Sequence, residues 1–373
     1  MNKDDVTSKQ TIYIITLFLM GSALVVGIDT KLSQDSWLAM IAATVFIIPV
    51  ILIYSRISAL NPKKDIFDIM QDIYKPIIGK FLIFFMIIYP ILLGSTVTNE
   101  IVGFLKITSL VSTPAIAVTV AFMIVVIYLG LSGIKTISKG AALFLYWIIF
   151  IIIFTYFMSA GRMHINHLLP IAADHSLSEI LGRGYKILNI PLAEVVLFLA
   201  FADYWKFDKK NNPYKSFFWG VFIAAFIMLA ILLRNILVLG PEMEHYSLFP
   251  SFQAVRLVGI KGFLERIEGA VIYNFIIAGI AKVTVCVIAA SKGMAKLFGT
   301  KNYKFYIVPV GFLIMALSLI MMSGSVESSI FLETGKFWMM PFLFVIPLIV
   351  WIGSEIKTRI KKSKESSSQI QSE

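Results

Sequence analysis

Three ionisable residues, Glu100, Glu194 and Lys282, lie within long apolar stretches of the sequence. A charge at the centre of a lipid-spanning helix costs about 2.5–3.5 kcal/mol on insertion scales, so such a residue usually has a partner or faces a water-filled cavity. Lys282 is therefore expected in the bundle interior, either as a gating residue or as a structural cation that neutralises Glu100 or Glu194. The two glutamates are expected to line an outward water path.

Two short segments would interrupt membrane helices. Residues 21–27 read Gly-Ser-Ala-Leu-Val-Val-Gly and residues 189–194 read Asn-Ile-Pro-Leu-Ala-Glu, in the first and sixth apolar stretches. Paired interruptions at matching positions of two halves are the best sequence indication of a solute site in a membrane carrier. Free N–H groups of the first would suit a carboxylate, and free carbonyls of the second a cation or ammonium. The alternative is that the small residues only permit close helix packing.

The elements that would position these residues are membrane-spanning helices. Of the 373 residues, 58% are apolar and 15% charged, with a net charge of +11, whereas soluble domains carry about 25% charged residues. This composition excludes an ordinary soluble enzyme, a coiled coil and a disordered tail protein. A span takes about 20 apolar residues. The ten candidate spans cover residues 11–28, 37–59, 80–105, 114–133, 140–160, 187–205, 214–239, 267–291, 305–323 and 338–356.

The basic residues indicate the orientation of these spans. Most of the 33 lysine and arginine residues fall in loops that share a side with both termini, which predicts that both termini are cytoplasmic. Nucleic-acid binding is not expected, because the charges are divided among short loops. The expected organisation is a cytoplasmic N-terminus (1–10), a first five-helix repeat (11–160), an outer loop (161–186), a second five-helix repeat (187–356) and a basic cytoplasmic tail (357–373). The tail would lie against anionic lipid headgroups.

Three further segments have a definite pattern. Residues 66–74 alternate apolar and acidic side chains at helical spacing, which predicts an amphipathic helix on the inner leaflet. Residues 250–268 are expected to be helical on the outer side. Arg234 lies near the outer end of the seventh span, where a long side chain can snorkel to the headgroups, so we assign it no chemistry.

Signals for enzymes and metal sites are weak. His164 and His167 are three residues apart in an outer loop, without the HExxH pattern or a carboxylate frame that a zinc site would need. A phosphate-binding loop, a nucleophile elbow and a catalytic dyad are all missing from the sequence, and the single Cys286 cannot form an intramolecular disulfide. We therefore expect neither an enzyme nor a bound metal or cofactor.

Several stretches together resemble the B subunit of the spore germinant receptors of endospore-forming bacteria, which belongs to the amino acid, polyamine and organocation transporter superfamily. The resemblance rests on residues 21–27, on Gln34-Asp35-Ser36-Trp37-Leu38, on Pro191-Leu-Ala-Glu194, and on Phe263-Leu-Glu265-Arg266-Ile-Glu268 with Lys282. It implies an all-α membrane protein of ten transmembrane helices, built as a five-plus-five inverted repeat with broken helices 1 and 6. It also implies residence in the spore inner membrane, a small germinant, commonly an amino acid, and A and C subunits as partners.

The same resemblance implies site residues. Gly21, Ser22 and Gly27 would hold the germinant carboxylate, and the turn from Pro191 to Glu194 would complete the pocket. The family more often has Pro-Phe-Gly-Glu at that turn, so an altered pocket wall and germinant are expected here. Lys282 would occupy the place where related transporters hold a coupling sodium ion. An amino acid transporter or exchanger of the same fold is the alternative to a sensor, because one pocket serves both.

Overall fold

The computed structural model describes residues 6–24, 30–205, 212–258, 268–321 and 338–370, and nearly all of them are helical. The α-helices are α1 (Ser8–Ala23), α2 (Ser36–Leu60), α3 (Ile66–Ile73), α4 (Pro76–Thr108), α5 (Ala115–Ser132), α6 (Ile134–Ser159), α7 (Leu177–Asn189), α8 (Pro213–Leu239), α9 (Pro241–Tyr246), α10 (Pro250–Arg256), α11 (Glu268–Leu297), α12 (Ile307–Met321) and α13 (Ile346–Ile370). The 3-10 segments are Thr30–Asp35, Ala160–Arg162, Ile165–Leu168, Leu192–Tyr204 and Tyr303–Tyr306, and a π-helical segment, Pro341–Val345, precedes α13.

Nine helical segments in the described part of the chain are long and apolar enough to cross a membrane. This confirms an all-helical, multi-pass membrane protein. The predicted first span is represented by α1, whose 16 residues measure about 24 Å at 1.5 Å per residue, less than the roughly 30 Å hydrocarbon core. Residues 25–28 of that span lie outside the described residues. The tenth span and the inverted repeat therefore stay predictions.

Helix α11 occupies the centre of the bundle. Residues 281–291 of this helix are all buried, and the helix packs against α1, α4 and α5. Helix α1 in turn lies against α6, α8 and α11. Alanine and glycine residues let membrane helices approach closely, and α11 carries many of them, including Gly279 and Gly293. The first and eighth predicted spans are thus held side by side, so that residues of both can form one site.

The apolar face of the loop helix α3 is covered by protein. Its amphipathic helix is confirmed, but the apolar side chains of Ile66, Phe67, Ile69 and Met70 are buried in the protein core. Helix α3 packs against α4, α13 and the Leu192–Tyr204 helix. Because this face is covered by protein, the helix packs on the bundle and does not insert the face into lipid. Its place at the inner leaflet stays a prediction.

Two other expectations change. Helix α7 begins at Leu177, ten positions before the predicted span, because Ser176 and Glu179 form a capping box that starts the helix. Arg234 does not snorkel: only 3% of it is exposed, because its guanidinium turns to Thr155 and Asn235 inside the bundle. Of the helix expected over residues 250–268, Pro250–Arg256 is present as α10, residues 259–267 lie outside the described residues, and the outer side stays a prediction.

Candidate ligand site at the helix interruption

The predicted interruption of the sixth span is present. Helix α7 ends at Asn189, the Ile190–Pro191 peptide is cis, and a 3-10 helix runs from Leu192 to Tyr204. The last carbonyls of α7 lose their intrahelical partners at this end. Long 3-10 stretches are uncommon and often mark a functional hinge. Pro191 therefore lies at the junction between an α-helix and a 3-10 helix.

A fully buried ion pair lies at this junction. The Nζ atom of Lys282 is 2.6 Å from Oε2 of Glu194, and both side chains are 0% exposed. Glu194 is in the first turn of the Leu192–Tyr204 helix, where the helix dipole stabilises a negative charge. The ammonium also lies 5.4 Å from the ring centroid of Phe18 on α1, within cation–π range. The pair joins α1, α11 and the 3-10 helix.

Gly21 makes room for this lysine. A Cβ atom at Gly21 would lie 2.5 Å from Cδ and 2.8 Å from Cβ of Lys282, closer than van der Waals contact allows. The missing side chain of Gly21 thus lets the stem of Lys282 pass α1 and reach Glu194. The packing role weighed for Gly21 is the one that its contacts support.

The free peptide groups at the end of α1 differ from those expected. Gly21 and Ser22 lie inside the helix, which continues to Ala23, and the N–H of Leu24 donates to the carbonyl of Met20 at 3.2 Å. A helix keeps free carbonyls, not free N–H groups, at its C-terminal end. The N–H groups of Gly21 and Ser22 are therefore not available for a carboxylate, and this part of the expectation was wrong. Gly27 lies outside the described residues.

Unpaired acceptor oxygens surround the ion pair. Oε1 of Glu194, Oε2 of Glu100 and the hydroxyl of Tyr89 are buried, and none has a hydrogen-bond partner among the described residues. Glu100 interacts electrostatically with Lys282 and Glu194, and Tyr89 interacts with Glu194. One lysine faces two glutamates, which leaves more acceptor oxygens than its ammonium group satisfies. Such a site suits an ammonium group.

Sequence reasoning missed Tyr89 and Asn189 as members of this site. The amide oxygen of Asn189, the last residue of α7, is buried and likewise without a partner in the described structure. Both residues lie close to a proline in the sequence: Tyr89 is directly before Pro90, and Asn189 is two positions before Pro191. Proline cannot donate a backbone hydrogen bond. Polar residues next to a proline within a span are therefore candidate site residues, as intramembrane charges are.

The other end of the 3-10 helix is held by a second set of charges. The Nζ atom of Lys292 lies 2.9 Å from Asp65 and 2.7 Å from Asp203, and Lys296 pairs with Asp68. These contacts connect α3, α11 and the Leu192–Tyr204 helix beside a cavity of about 470 Å³. The 3-10 helix is therefore fixed by charge at both ends, by Glu194 at the interruption and by Asp203 at the far end.

Gln34 and Asp35 fasten the segment that leads into α7. Buried Asp35 accepts the N–H of Ala172 at 2.9 Å and lies 3.1 Å from Nδ1 of His175. The side-chain amide of Gln34 donates to Asp174 at 2.6 Å. This segment precedes the capping box of α7, so the start of α2 holds the helix that ends at the interruption.

Asp35→Asn should loosen this segment. The substitution removes the negative charge that the imidazole of His175 contacts, and a hydrogen bond to a charged group contributes about 1.5–3 kcal/mol. We expect at least roughly tenfold faster amide hydrogen exchange in residues 170–176, measured by mass spectrometry. The control is Glu242→Gln, which changes an exposed carboxylate outside this segment and should have little effect. Unchanged exchange in Asp35→Asn would mean that Asp35 does not hold the segment.

Known proteins are similar to this chain over most of its length. The family model described as "Spore germination protein" matches residues 5–326. Spore germination protein KB of Bacillus subtilis (strain 168) is 24% identical over 98% of this chain and 98% of its own length, and spore germination protein A2 of the same organism is 23% identical over 94% and 96%.

Solved structures share the fold. Mhp1, a nucleobase-cation-symport-1 family transporter in a closed conformation with bromovinylhydantoin bound, has a TM-score of 0.65 at 12% identity, with 92% of this chain and 78% of that chain covered. MhsT in complex with L-phenylalanine has a TM-score of 0.63 at 13% identity, with 95% and 100% covered. Likeness at this level of identity concerns the fold alone.

Proposed function

The chain belongs to the spore germination protein family, and from this premise we propose that it is the membrane subunit of a spore germinant receptor. It senses a small nutrient, an amino acid in our proposal, and triggers germination through partner subunits. Its place is the spore inner membrane, with both termini cytoplasmic and with A and C subunits as partners. It performs no catalysis in this role.

The observation that carries the proposal is the buried Lys282–Glu194 pair at the interruption between α7 and the 3-10 helix. An amino acid brings an ammonium and a carboxylate. Its ammonium can approach the free acceptor oxygens of Glu194 and Glu100, where it competes with Lys282 for Glu194. The amino acid thereby shifts the equilibrium between two arrangements of the 3-10 helix, because it binds one of them better.

In this proposal the ligand contacts are Gly21, Ser22, Gly27, Pro191 and Glu194. Because Gly21 and Ser22 lie inside α1 and present no free N–H groups, they contribute backbone carbonyls at the end of the helix. Glu100 and Lys282 act in gating and in the water path. Since Lys282 already supplies a positive charge, the response requires no sodium ion.

An amino acid transporter or exchanger is the second candidate, favoured by the fold. MhsT, which shares it, is a complex with L-phenylalanine. A transporter carries solute through the bundle, whereas a sensor only changes its conformation and passes the change to partners. The two candidates therefore differ in net solute flux.

The test uses spores of the source strain that lack this chain and are complemented with wild type, Glu194→Gln or the exposed control Glu242→Gln. The spores are tested with a panel of amino acids. We expect wild type and Glu242→Gln to restore germination in response to one or a few of them. Glu194→Gln should need roughly tenfold more ligand or fail to respond, because a charge-assisted hydrogen bond is lost. Purified protein in vesicles should accumulate no labelled amino acid. Steady accumulation would favour the transporter, and an unchanged response in the deletion strain would reject the sensor.

A further inference from the structure

A second buried charge, Arg234, lies on α8 outside the site described above, and only 3% of the residue is exposed. Its Nε and Nη2 atoms donate to Oδ1 of Asn235 at 3.3 and 2.8 Å, and its Nη1 donates to Oγ1 of Thr155 at 3.1 Å. All of these acceptors are neutral. The arginine is hydrogen-bonded in the bundle, but its charge is not compensated by them.

No carboxylate in the described part of the chain pairs with this guanidinium. Tyr156 interacts with it electrostatically, but a tyrosine is neutral at physiological pH. A guanidinium carries five N–H donors and is permanently charged, and the contacts above use three of them. A buried charge without a counterion costs several kcal/mol. The remaining donors and the charge together call for an anion.

A small cavity lies beside Arg234. It measures about 20 Å³ and is lined by Arg234, Thr155, Ser251, Asn274 and Leu24, among others. A cavity needs roughly 10–15 Å³ on this measure to hold one water-sized particle. The space therefore admits one small ion or the oxygen end of a carboxylate group, and it cannot hold a whole amino acid. Leu24 is three residues after Gly21, about 4.5 Å along a helix, so the cavity adjoins the end of α1.

We propose that Arg234 and this cavity form a binding site for a compact monovalent anion. A halide ion and the carboxylate group of a bound organic ligand each present a single negative charge on a compact group. The halide form stands independently of the proposed function, whereas the carboxylate form rests on it. In either form the anion neutralises Arg234 and ties α8 to α6 and α11 at the end of α1, so its binding stabilises the folded bundle.

The experiment measures thermal unfolding of the purified full-length protein in lipid nanodiscs. Sodium methanesulfonate, whose anion is too large for the cavity, is replaced stepwise by sodium chloride at constant ionic strength. In separate samples an amino acid that triggers germination, or else alanine, is compared with its carboxamide. We expect the unfolding midpoint to rise saturably with chloride, with the amino acid, or with each of these two ligands. The carboxamide should not raise it.

Variants assign the effect to Arg234. Arg234→Gln should lose the rise or need roughly tenfold more anion, since a hydrogen bond to a charged group is lost. Arg256→Gln, which removes an exposed arginine, should behave as wild type. If Arg234→Gln does not fold, Arg234→Lys keeps the charge without the two-pronged geometry and should bind the anion more weakly.

Each result is decisive for one form of the site. Chloride stabilisation alone assigns an inorganic ion and leaves the sensor proposal untouched, while stabilisation by the amino acid alone assigns the ligand carboxylate. If wild type responds to neither, or if Arg234→Gln responds as wild type does, the proposal is wrong and the cavity holds water.

Discussion

Lys282→Met should destabilise the protein by about 3–5 kcal/mol, the cost of removing one partner from a buried ion pair. Glu194 would be left at 0% exposure without the ammonium that lies 2.6 Å from it. The double variant Lys282→Met/Glu194→Gln should recover most of this loss, because neutral groups of similar size often replace a buried pair without penalty. Lys304→Met, which removes an exposed lysine, is the control and should leave stability nearly unchanged.

The measurement is the midpoint of heat or SDS unfolding of each purified variant, together with germination of complemented spores. The double variant separates the two roles considered for Lys282. If the lysine is only a structural cation, the double variant regains both stability and germination. If the pair is part of the gate, stability returns and the response does not. We expect the second result. If Lys282→Met alone is as stable as wild type, both the structural role and the gating role of the ion pair are contradicted.

The residues of the Lys282–Glu194 pair could be predicted from the sequence, but their pairing could not. Charges within apolar stretches identified Lys282, Glu194 and Glu100, because an intramembrane charge is costly wherever it occurs. The choice between the two glutamates needed the structure, since it depends on which helix faces α11. Proline chemistry likewise located the interruption before Pro191, because a missing N–H ends a helix regardless of its neighbours.

Arg234 shows what the sequence could not reveal. Its position near the end of a span gives its depth, and depth alone favours snorkelling. The direction of its side chain depends on Thr155, 79 positions earlier, and on the cavity beside α10. Asp35 similarly bonds to Ala172 and His175, 137 and 140 positions away. Contacts across such separations are set by helix packing, which no local pattern encodes.

The sequence pointed to Gly21 as a place where the helix backbone is interrupted, but its contacts in the structure give another reason for a glycine at this position. We expected an unwound peptide that grips a carboxylate, whereas α1 is regular to Ala23 and the glycine accommodates the lysine of α11. A small residue in a membrane helix fits both explanations, and only the partner helix distinguishes them. The expected effect of a larger residue at position 21 changes accordingly, from blocking a ligand to displacing Lys282.

Gly21→Ala should therefore be destabilising even though alanine is the better helix former. Its Cβ would lie 2.5 Å from Cδ of Lys282, and overpacking of this kind costs about 1–3 kcal/mol. Gly21→Leu should cost more and separate Lys282 from Glu194, so that germination is lost. The matched control is Gly103→Ala on α4, where an added Cβ meets nothing within 4 Å and should be neutral or slightly stabilising.

Combining Gly21→Ala with Lys282→Ala tests the contact directly. Lys282→Ala removes Cδ, the atom closest to the new methyl group at 2.5 Å, and Cγ, while Cβ at 2.8 Å remains. The cost of Gly21→Ala should therefore be smaller in that background than in wild type without vanishing, by roughly 1 kcal/mol or more for two residues in contact. Unfolding midpoints of the four proteins give this coupling. Equal costs in the two backgrounds would show that position 21 does not act through Lys282, and the ligand would again be the better explanation for glycine at the end of α1.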